Sequence, residues 1–472
     1  MSSISALNSL LDSSSNSSST IDLSQILEAA LGASSEGIDV NAAVNAAVTA
    51  AEKPETQWQT QLTLLQNQTS ALNSLQTGVT SLDNDMQALN NLMGPLSAAT
   101  VTSSNSSIVT GSAVSGTASG NHVIVVNSLA STASWASGTV ASASTPLAGG
   151  SFTITGANGT PTTISTGSGS STLNDVANTI NGDNLGLTAT VVTDAAGARL
   201  VVVSNTSGGA ANFSVANGGG LTFSQVEPGS NASYSVDGLT LSSATNTVTG
   251  ALPGVTLNLQ SASSGTQVSL NIAPDTSAAS TAINQFVTDY NSVITALNNQ
   301  FADSGSGQGV LATDPTVRNL QSEMLSALGY TYVPATGTTT MPNLSSMGIT
   351  VNKDGTLSVD SATLNNALQN NYSDVQSFFQ GSAFNGFANF MDQQLTGFLS
   401  PSDGAFTVDL QSIGSEETSL QDDITNFQTN VITPLQTQLQ AQYSQAEILL
   451  QQLPAEMKQI DEELGLNNSS NG

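Results

Sequence analysis

The chain has 472 residues, room for several domains, yet only 8% are charged, and five Lys and Arg stand against 34 Asp and Glu. Five scattered cations in a chain of net charge -29 cannot neutralise a phosphate backbone or an anionic bilayer, so nucleic acid and acidic membrane are excluded as partners. With no cysteine and one histidine, His122, there is no disulfide framework, no thiolate chemistry and no histidine-rich metal site within one copy.

Residues 1–35 are Ser-rich with short apolar islands, a segment expected to be disordered alone or helical on assembly. The N-terminus lacks the positive region and continuous apolar stretch of a cleavable secretion signal, and no run of 18 apolar residues predicts a membrane span. An Ala-rich helix follows, with Asp39 as its expected N-cap and Pro54 set to interrupt or restart it. From 58 to 93, Trp58, Leu65, Leu72, Val79, Met86 and Met93 recur every seven residues, and Leu75, Leu82 and Leu89 fill the other half of a heptad seam. Gln, Asn, Ser and Thr flank this seam, with only Asp83 and Asp85 charged, and Gly94-Pro95 is expected to stop the helix.

From about 100 to 272 the chain becomes rich in Ser, Thr, Gly and Val. Runs such as HVIVVNSL, SFTITG, LTATVVTD, ARLVVVSN, YSVDGLTL and VTLNLQS, separated by Gly and Asn clusters, predict antiparallel strands. TLNDVANTIN places Leu173, Val176 and Ile180 on one helical face, so 160–205 is expected to be a small α+β unit. Helical spacing returns from Thr276 with Ile283, Phe286, Val287, Tyr290, Val293, Ile294 and Leu297. Further helices are expected in DPTVRNLQSEMLSAL, SATLNNALQNNYSDVQSFFQG and FNGFANFMDQQLTGFL, and a tight hairpin around Lys353-Asp354-Gly355. The last helix carries Leu420, Ile424, Phe427, Val431, Leu435, Leu439, Tyr443, Ala446, Leu450 and Leu453, with Pro434 and Pro454 as expected kinks or breaks.

Catalytic constellations do not emerge. His122 lies at a strand start with no nucleophile elbow around any serine. Asp422-Asp423 and Glu462-Glu463 are consecutive and diverge around a helix, so they read as solvated faces. NKDGTLSVD lacks the acidic alternation of a calcium loop, and NGGG at 217–220 reads as a turn without the Lys of a phosphate loop. An assembly protein without an active site is the expectation.

Several blocks carry a resemblance. GIDVNAAVNAAVTAAEKPETQWQTQ, YSVDGLTLSSATNTVTGALPGVTLNL, FVTDYNSVITALNNQ and GVLATDPTVRNLQSEM resemble, in order, segments of the bacterial flagellar filament cap family (FliD, flagellar hook-associated protein 2). NLSSMGITVNKDGTLSVDSATLNNALQNNYSDVQSFFQG is the most specific, with Gly348-Ile349, Asp354-Gly355-Thr356-Leu357, Asp360, Leu364, Leu368, Val375 and Phe379 in family order. The 160–207 unit is similar to an insert motif shared with flagellins. Departures are the extra Ser-rich start, the scarcity of Lys and Arg, and Pro454 near the end.

The resemblance implies a non-enzymatic, extracellular protein of the flagellum tip. It would form a homo-oligomeric ring, five copies being the expected number, and would fold and insert flagellin while preventing its leakage. It would leave by the flagellar type III route, unfolded, with the export apparatus and an export chaperone as partners. Another filament or junction component and a surface adhesin are the alternatives, and adhesion to host surfaces could also be a second role. The expected architecture is α+β multidomain, with N- and C-terminal helices paired into a coiled-coil-like stalk and antiparallel β-rich head domains inserted between them. The expected parts are an N-terminal segment (1–45), a stalk helix (46–100), a β-rich head (101–130 and 230–273) and an inserted small α+β head (131–229). A C-terminal helical stalk (274–455), with a hairpin near 348–360, and a tail (456–472) complete it. Stalk packing is expected from Trp58, Leu65, Leu72, Val79, Leu82 and Met86, with Phe427, Leu439, Leu450 and Leu453 opposite. No catalytic, cofactor-binding or metal-binding residue is expected.

Overall fold

The computed structural model describes residues 40–167, 169–302, 308–382 and 385–463; the Ser-rich start, including the expected Asp39 cap, lies outside them. The helices are α1 (Val40–Ala51), α2 (Lys53–Asn90), α3 (Leu173–Gly182), α4 (Thr276–Phe301), α5 (Pro315–Ala327), α6 (Ser361–Asn370), α7 (Tyr372–Gln380), α8 (Phe387–Leu399), α9 (Ala405–Phe427) and α10 (Thr433–Glu463). Antiparallel strands occupy the region between α2 and α4, so the architecture is α+β and multidomain. Two compact units result. One holds the described residues up to Thr80, Ser292–Glu323 and those from Leu395 onward; the other holds Ser81–Asn291 and Met324–Gln394.

In the second unit, strands 99–103, 268–274, 120–128, 232–236 and 239–243 form one sheet in that order, and 247–252, 255–259 and 109–113 form another. Alternating side chains from both sheets, Ile124, Val126, Tyr234, Val236, Leu257 and Leu270 among them, share one core. Val236 pairs with Leu239 across Asp237 and Gly238. Both turn residues take positive φ, +50° and +84°, as a two-residue hairpin turn requires.

A separate core belongs to the inserted segment. Its sheets run 223–227, 132–137, 197–207, 187–194 and 161–165, 151–155, 214–215. Leu173, Val176 and Ile180 of α3 close this core with Phe152, Leu200 and Phe213. A capping box starts α3, the Thr172 side chain accepting from Asp175 N while the Asp175 side chain accepts from Thr172 N. Trp135 donates Nε1 to Phe213 O at 2.9 Å, which satisfies its polar end beside the core.

The helices of this unit gather an aromatic cluster: Phe286 and Tyr290 of α4 meet edge-on, and Phe378 stacks on Phe387 with centroids 5.3 Å apart. Strands 349–351 and 357–359 pair as expected, but through a five-residue loop in which Gly355 alone has positive φ. Gly355 N donates to Asn352 O, so the Asp-Gly step lies inside a longer turn and not at a two-residue one. Asn291 fixes this hairpin to α4, donating Nδ2 to Leu357 O at 2.8 Å and accepting from Leu357 N at 2.6 Å.

In the first unit α1 ends at Ala51 and α2 restarts at Lys53, with Pro54 in its first turn, where a missing N–H costs no helical bond. Between α9 and α10 the chain stays helical through a π turn, Gln428–Ile432, at which Thr433 N donates to Gln428 O. This turn precedes Pro434 and carries the helix past it without a break. Pro454 does not end α10 either, which runs through it to Glu463. The π turn also shifts the buried stripe: Ile432, 3% exposed, is the core residue where four-residue spacing points to Val431, which is 36% exposed.

Candidate functional site

Leu65, Leu72 and Val79 are buried along the first part of α2, and Leu82, Met86 and Leu89 along its last turns. Met93 falls past the helix end and is 62% exposed, so the seven-residue series stops one member early. Trp58 is half-buried and meets Phe427 edge-on, with centroids 5.3 Å apart. Leu65 packs with Leu420 and Ile424 of α9, so this stretch of the seam faces the C-terminal helix.

The structure does not bring all the expected residues together. Leu439 packs with Val44, Val48 and Ile432, against α1 and not against the seam of α2. Farther along, Gly78 lies under Val293 of α4: a Cβ added there would be 3.2 Å from Val293 Cγ2. The seam therefore changes partner along its length, because α9 begins only at Ala405. The side chains of Leu450 and Leu453 lie outside the described residues.

The polar flank of α2 has two chemistries. Thr60, Thr63, Ser70, Ser74, Thr77 and Thr80 each donate their hydroxyl to the carbonyl four residues back. Their donors are committed to the helix itself. Amides and one threonine reach across instead: Gln61 donates to Glu416 at 3.1 Å, Thr69 to Glu417 at 2.8 Å, and Gln428 donates back to Glu55. Neutral donors to carboxylates replace the usual ion-pair code between these helices. Gln57, Gln66, Asn67 and Asn73 remain exposed.

A second feature is the absence of charge from the first β unit. From Met86 to Asn174 and from Gly238 to Pro274 the sequence holds no Asp, Glu, Lys or Arg. Asp237 and His122 are the exceptions in that fold, and they pair at 2.8 Å. The hydrogen bond from His122 and then that from Val123 N hold the Asp237 carboxyl below its usual range. Leu92, Met93 and Val114 are largely exposed, and the Met93 sulfur borders Gly116. Sequence reasoning missed this pairing and this patch; the Asp-Gly turn and the long charge-free stretches were their available signals. Among the described residues no group of three or more His, Cys, Asp or Glu is placed to hold a metal ion, and no helix is long and apolar enough to cross a membrane.

Comparison with known proteins follows this anatomy. Residues 36–133 match the family described as flagellar hook-associated protein 2 N-terminus, and 229–455 match its C-terminus, together more than half of the chain. Residues 151–206, within the inserted unit, match the flagellin hook IN motif. The B-type flagellar hook-associated protein 2 of Pseudomonas aeruginosa is 29% identical over 60% of this chain and 66% of its own length. The A-type protein of the same species is 30% identical over 59% of this chain and 64% of its own length. In both cases the match spans just under two thirds of the relative. The crystal structure of the flagellar cap protein FliD D1-D2-D3 domains from Escherichia coli superposes with a TM-score of 0.58 at 26% identity, covering 73% of this chain and 99% of that one. With both of the family's terminal segments matched in order around the insert, this chain belongs to the flagellar hook-associated protein 2 family.

Proposed function

We propose that this chain is a structural protein that caps the distal tip of the bacterial flagellar filament, outside the cell. In this reading copies of it form a ring, five being the expected number, that folds and inserts flagellin and keeps monomers from leaking. The observation that carries the reading is the ordered match of both family segments, residues 36–133 and 229–455. Two physical features support it. Exposed, uncharged amides on α2 offer weak contacts that are exchanged readily, since each neutral hydrogen bond adds little net free energy. The β unit, whose charge is confined to the His122–Asp237 pair, and the exposed Leu92, Met93 and Val114 let chains of net charge -29 approach one another without strong repulsion.

On the same reading the chain leaves through the flagellar type III apparatus with an export chaperone, and the domain boundaries are those set out from the sequence. The proposed stalk core is Trp58, Leu65, Leu72, Val79, Leu82 and Met86, with Phe427 opposite and Leu439 reassigned to α1. Deleting the gene tests the role: loss of motility with monomeric flagellin spilling into the medium is expected. Intact motility with loss of surface attachment would favour an adhesin, and purified protein that polymerises alone into long filaments would favour a filament component. End-on electron micrographs of the purified assembly count the copies.

A further inference from the structure

Side-chain amides close main-chain groups at several separate places in this chain. Asn181 donates Nδ2 to Ala189 O at 2.9 Å and accepts from Ala189 N at 2.8 Å. Asn212 does the same with Gly229, at 2.9 and 2.8 Å, and Asn246 with Ala130, at 3.0 and 2.7 Å. Asn291 and Leu357 make a further such clasp. A carboxamide carries a donor and an acceptor side by side, so it fits the N–H and C=O of one residue whatever the side chain there. Asn365 and Gln369 stand one turn apart on the exposed face of α6, and their amides have no hydrogen-bond partner among the described residues. Asn366 and Asn370 beside them are committed to each other, Asn370 Nδ2 donating to Asn366 O and Oδ1.

Asn365 and Gln369 line one wall of a groove of about 560 Å³ between α6 and α4, within a single compact unit. The α4 wall is built from Ser, Thr, Asn and Gln alone, Ser277, Thr281 and Asn284 among them. Thr281 Oγ1 donates to Ser277 O and Asn284 Nδ2 to Ser280 O, each at 2.8 Å, so this wall turns mainly oxygen acceptors outward. Among the described residues no charged, aromatic or apolar side chain lines the groove. An ion finds no countercharge there, and an apolar ligand finds no floor. Four residues of α-helix advance about 6 Å, and two residues of extended chain about 6.6 Å. A strand lying along α6 therefore presents the main-chain groups of alternate residues to Asn365 and Gln369 in turn. We propose that this groove binds a segment of extended polypeptide by its main chain. Asn365 and Gln369 clasp alternate residues, and the α4 oxygens accept from the N–H groups of the residues between. Such recognition is blind to sequence, and a few neutral bonds release as readily as they form. That an arriving flagellin is the segment taken rests on the capping role proposed above; the binding itself does not.

Saturation-transfer NMR on the full chain tests the groove, with a capped peptide of about six residues alternating Ser and Thr as the probe. It should bind the parent chain with a Kd on the order of 1 mM. A second capped peptide of the same length, alternating Ala and Asn, should bind equally. The double variant Asn365→Ala and Gln369→Ala should weaken both by about tenfold. Asn366→Ala with Asn370→Ala, on the same helix, should leave binding unchanged. N-methylation of alternate residues in the first peptide removes the N–H groups along one edge and should weaken it as strongly as the double variant does. No binding to the parent, or equal binding by the double variant or by the methylated peptide, overturns the proposal. So does binding of only one of the two sequences, and so does displacement of the peptide by maltotriose, which would make the groove a sugar site. All four substituted positions are exposed, so the variants should fold as the parent does; if one does not, the methylated peptide decides. Peptide binding in a chain whose gene deletion leaves motility intact would keep the site and remove flagellin as its occupant.

Discussion

The first β unit and the helices that flank it bury apolar side chains alike and treat charge differently. In the β unit Ile124, Val126, Leu257 and Leu270 make the core, and its charge reduces to one His–Asp pair. The flanking helices carry acids on exposed and buried faces alike, Asp83 among the buried ones. A chain this acidic is repelled by its own copies, so in the proposed ring the uncharged surface is where contact would carry the least electrostatic cost. Packing fixes each fold, while charge decides how each responds to pH and to neighbours.

Packing carries the largest expected effects. Leu72→Ala in α2 and Ile124→Ala in the β unit should each cost about 2–5 kcal/mol, read by urea unfolding. A much smaller loss for one of them would show that the two cores are not equivalent. Next comes the edge-on contact at the start of the seam. A double-mutant cycle on Trp58→Ala and Phe427→Ala should give a coupling of about 0.5–1.5 kcal/mol. No coupling would mean that α2 and α9 do not depend on each other there.

The double variant Leu92→Glu and Met93→Glu brings acid to the neutral patch. Its stability should move by no more than about 0.5 kcal/mol, since both side chains are exposed. Its self-association, followed by sedimentation, should fall, and it should become salt-dependent as repulsion is screened. Unchanged association would remove the patch from the proposed ring contact. The smallest effect is that of Asp237. Its lowered pKa adds stability that is present above the ordinary carboxylate value and lost as pH falls through the folded one. Amide exchange in the strand 120–128 should therefore be even from pH 5 to 8 once corrected for intrinsic rates, and Asp237→Asn should raise it slightly. A steep change in that range would contradict a charge-poor fold.

Much of this was legible in the sequence because local patterns are strong here. Strand runs bounded by Gly and Asn, the α3 face of Leu173, Val176 and Ile180, and the heptads of α2 each report their own burial. What sequence could not report was choice among partners. Leu439 has the spacing of a seam residue whether it faces α1 or α2, and only the fold selects α1. Asn291 looked like another polar residue on a helix, yet its amide closes both backbone groups of Leu357.

The π turn at Gln428–Ile432 has a consequence beyond passing Pro434. An α-helix advances about 100° per residue, so one extra residue in a turn offsets the phase of everything after it by that angle. The buried stripe runs in steps of three and four up to Phe427, takes one step of five to Ile432, and then resumes toward Leu439 and Tyr443. Before the step it serves Leu65 of α2, and after it Val44 and Val48 of α1. The turn thus works as a phase corrector between two seams that were never in register. Deleting one of its residues would leave the helix continuous and swing Leu439 and Tyr443 away from α1 by about a quarter turn.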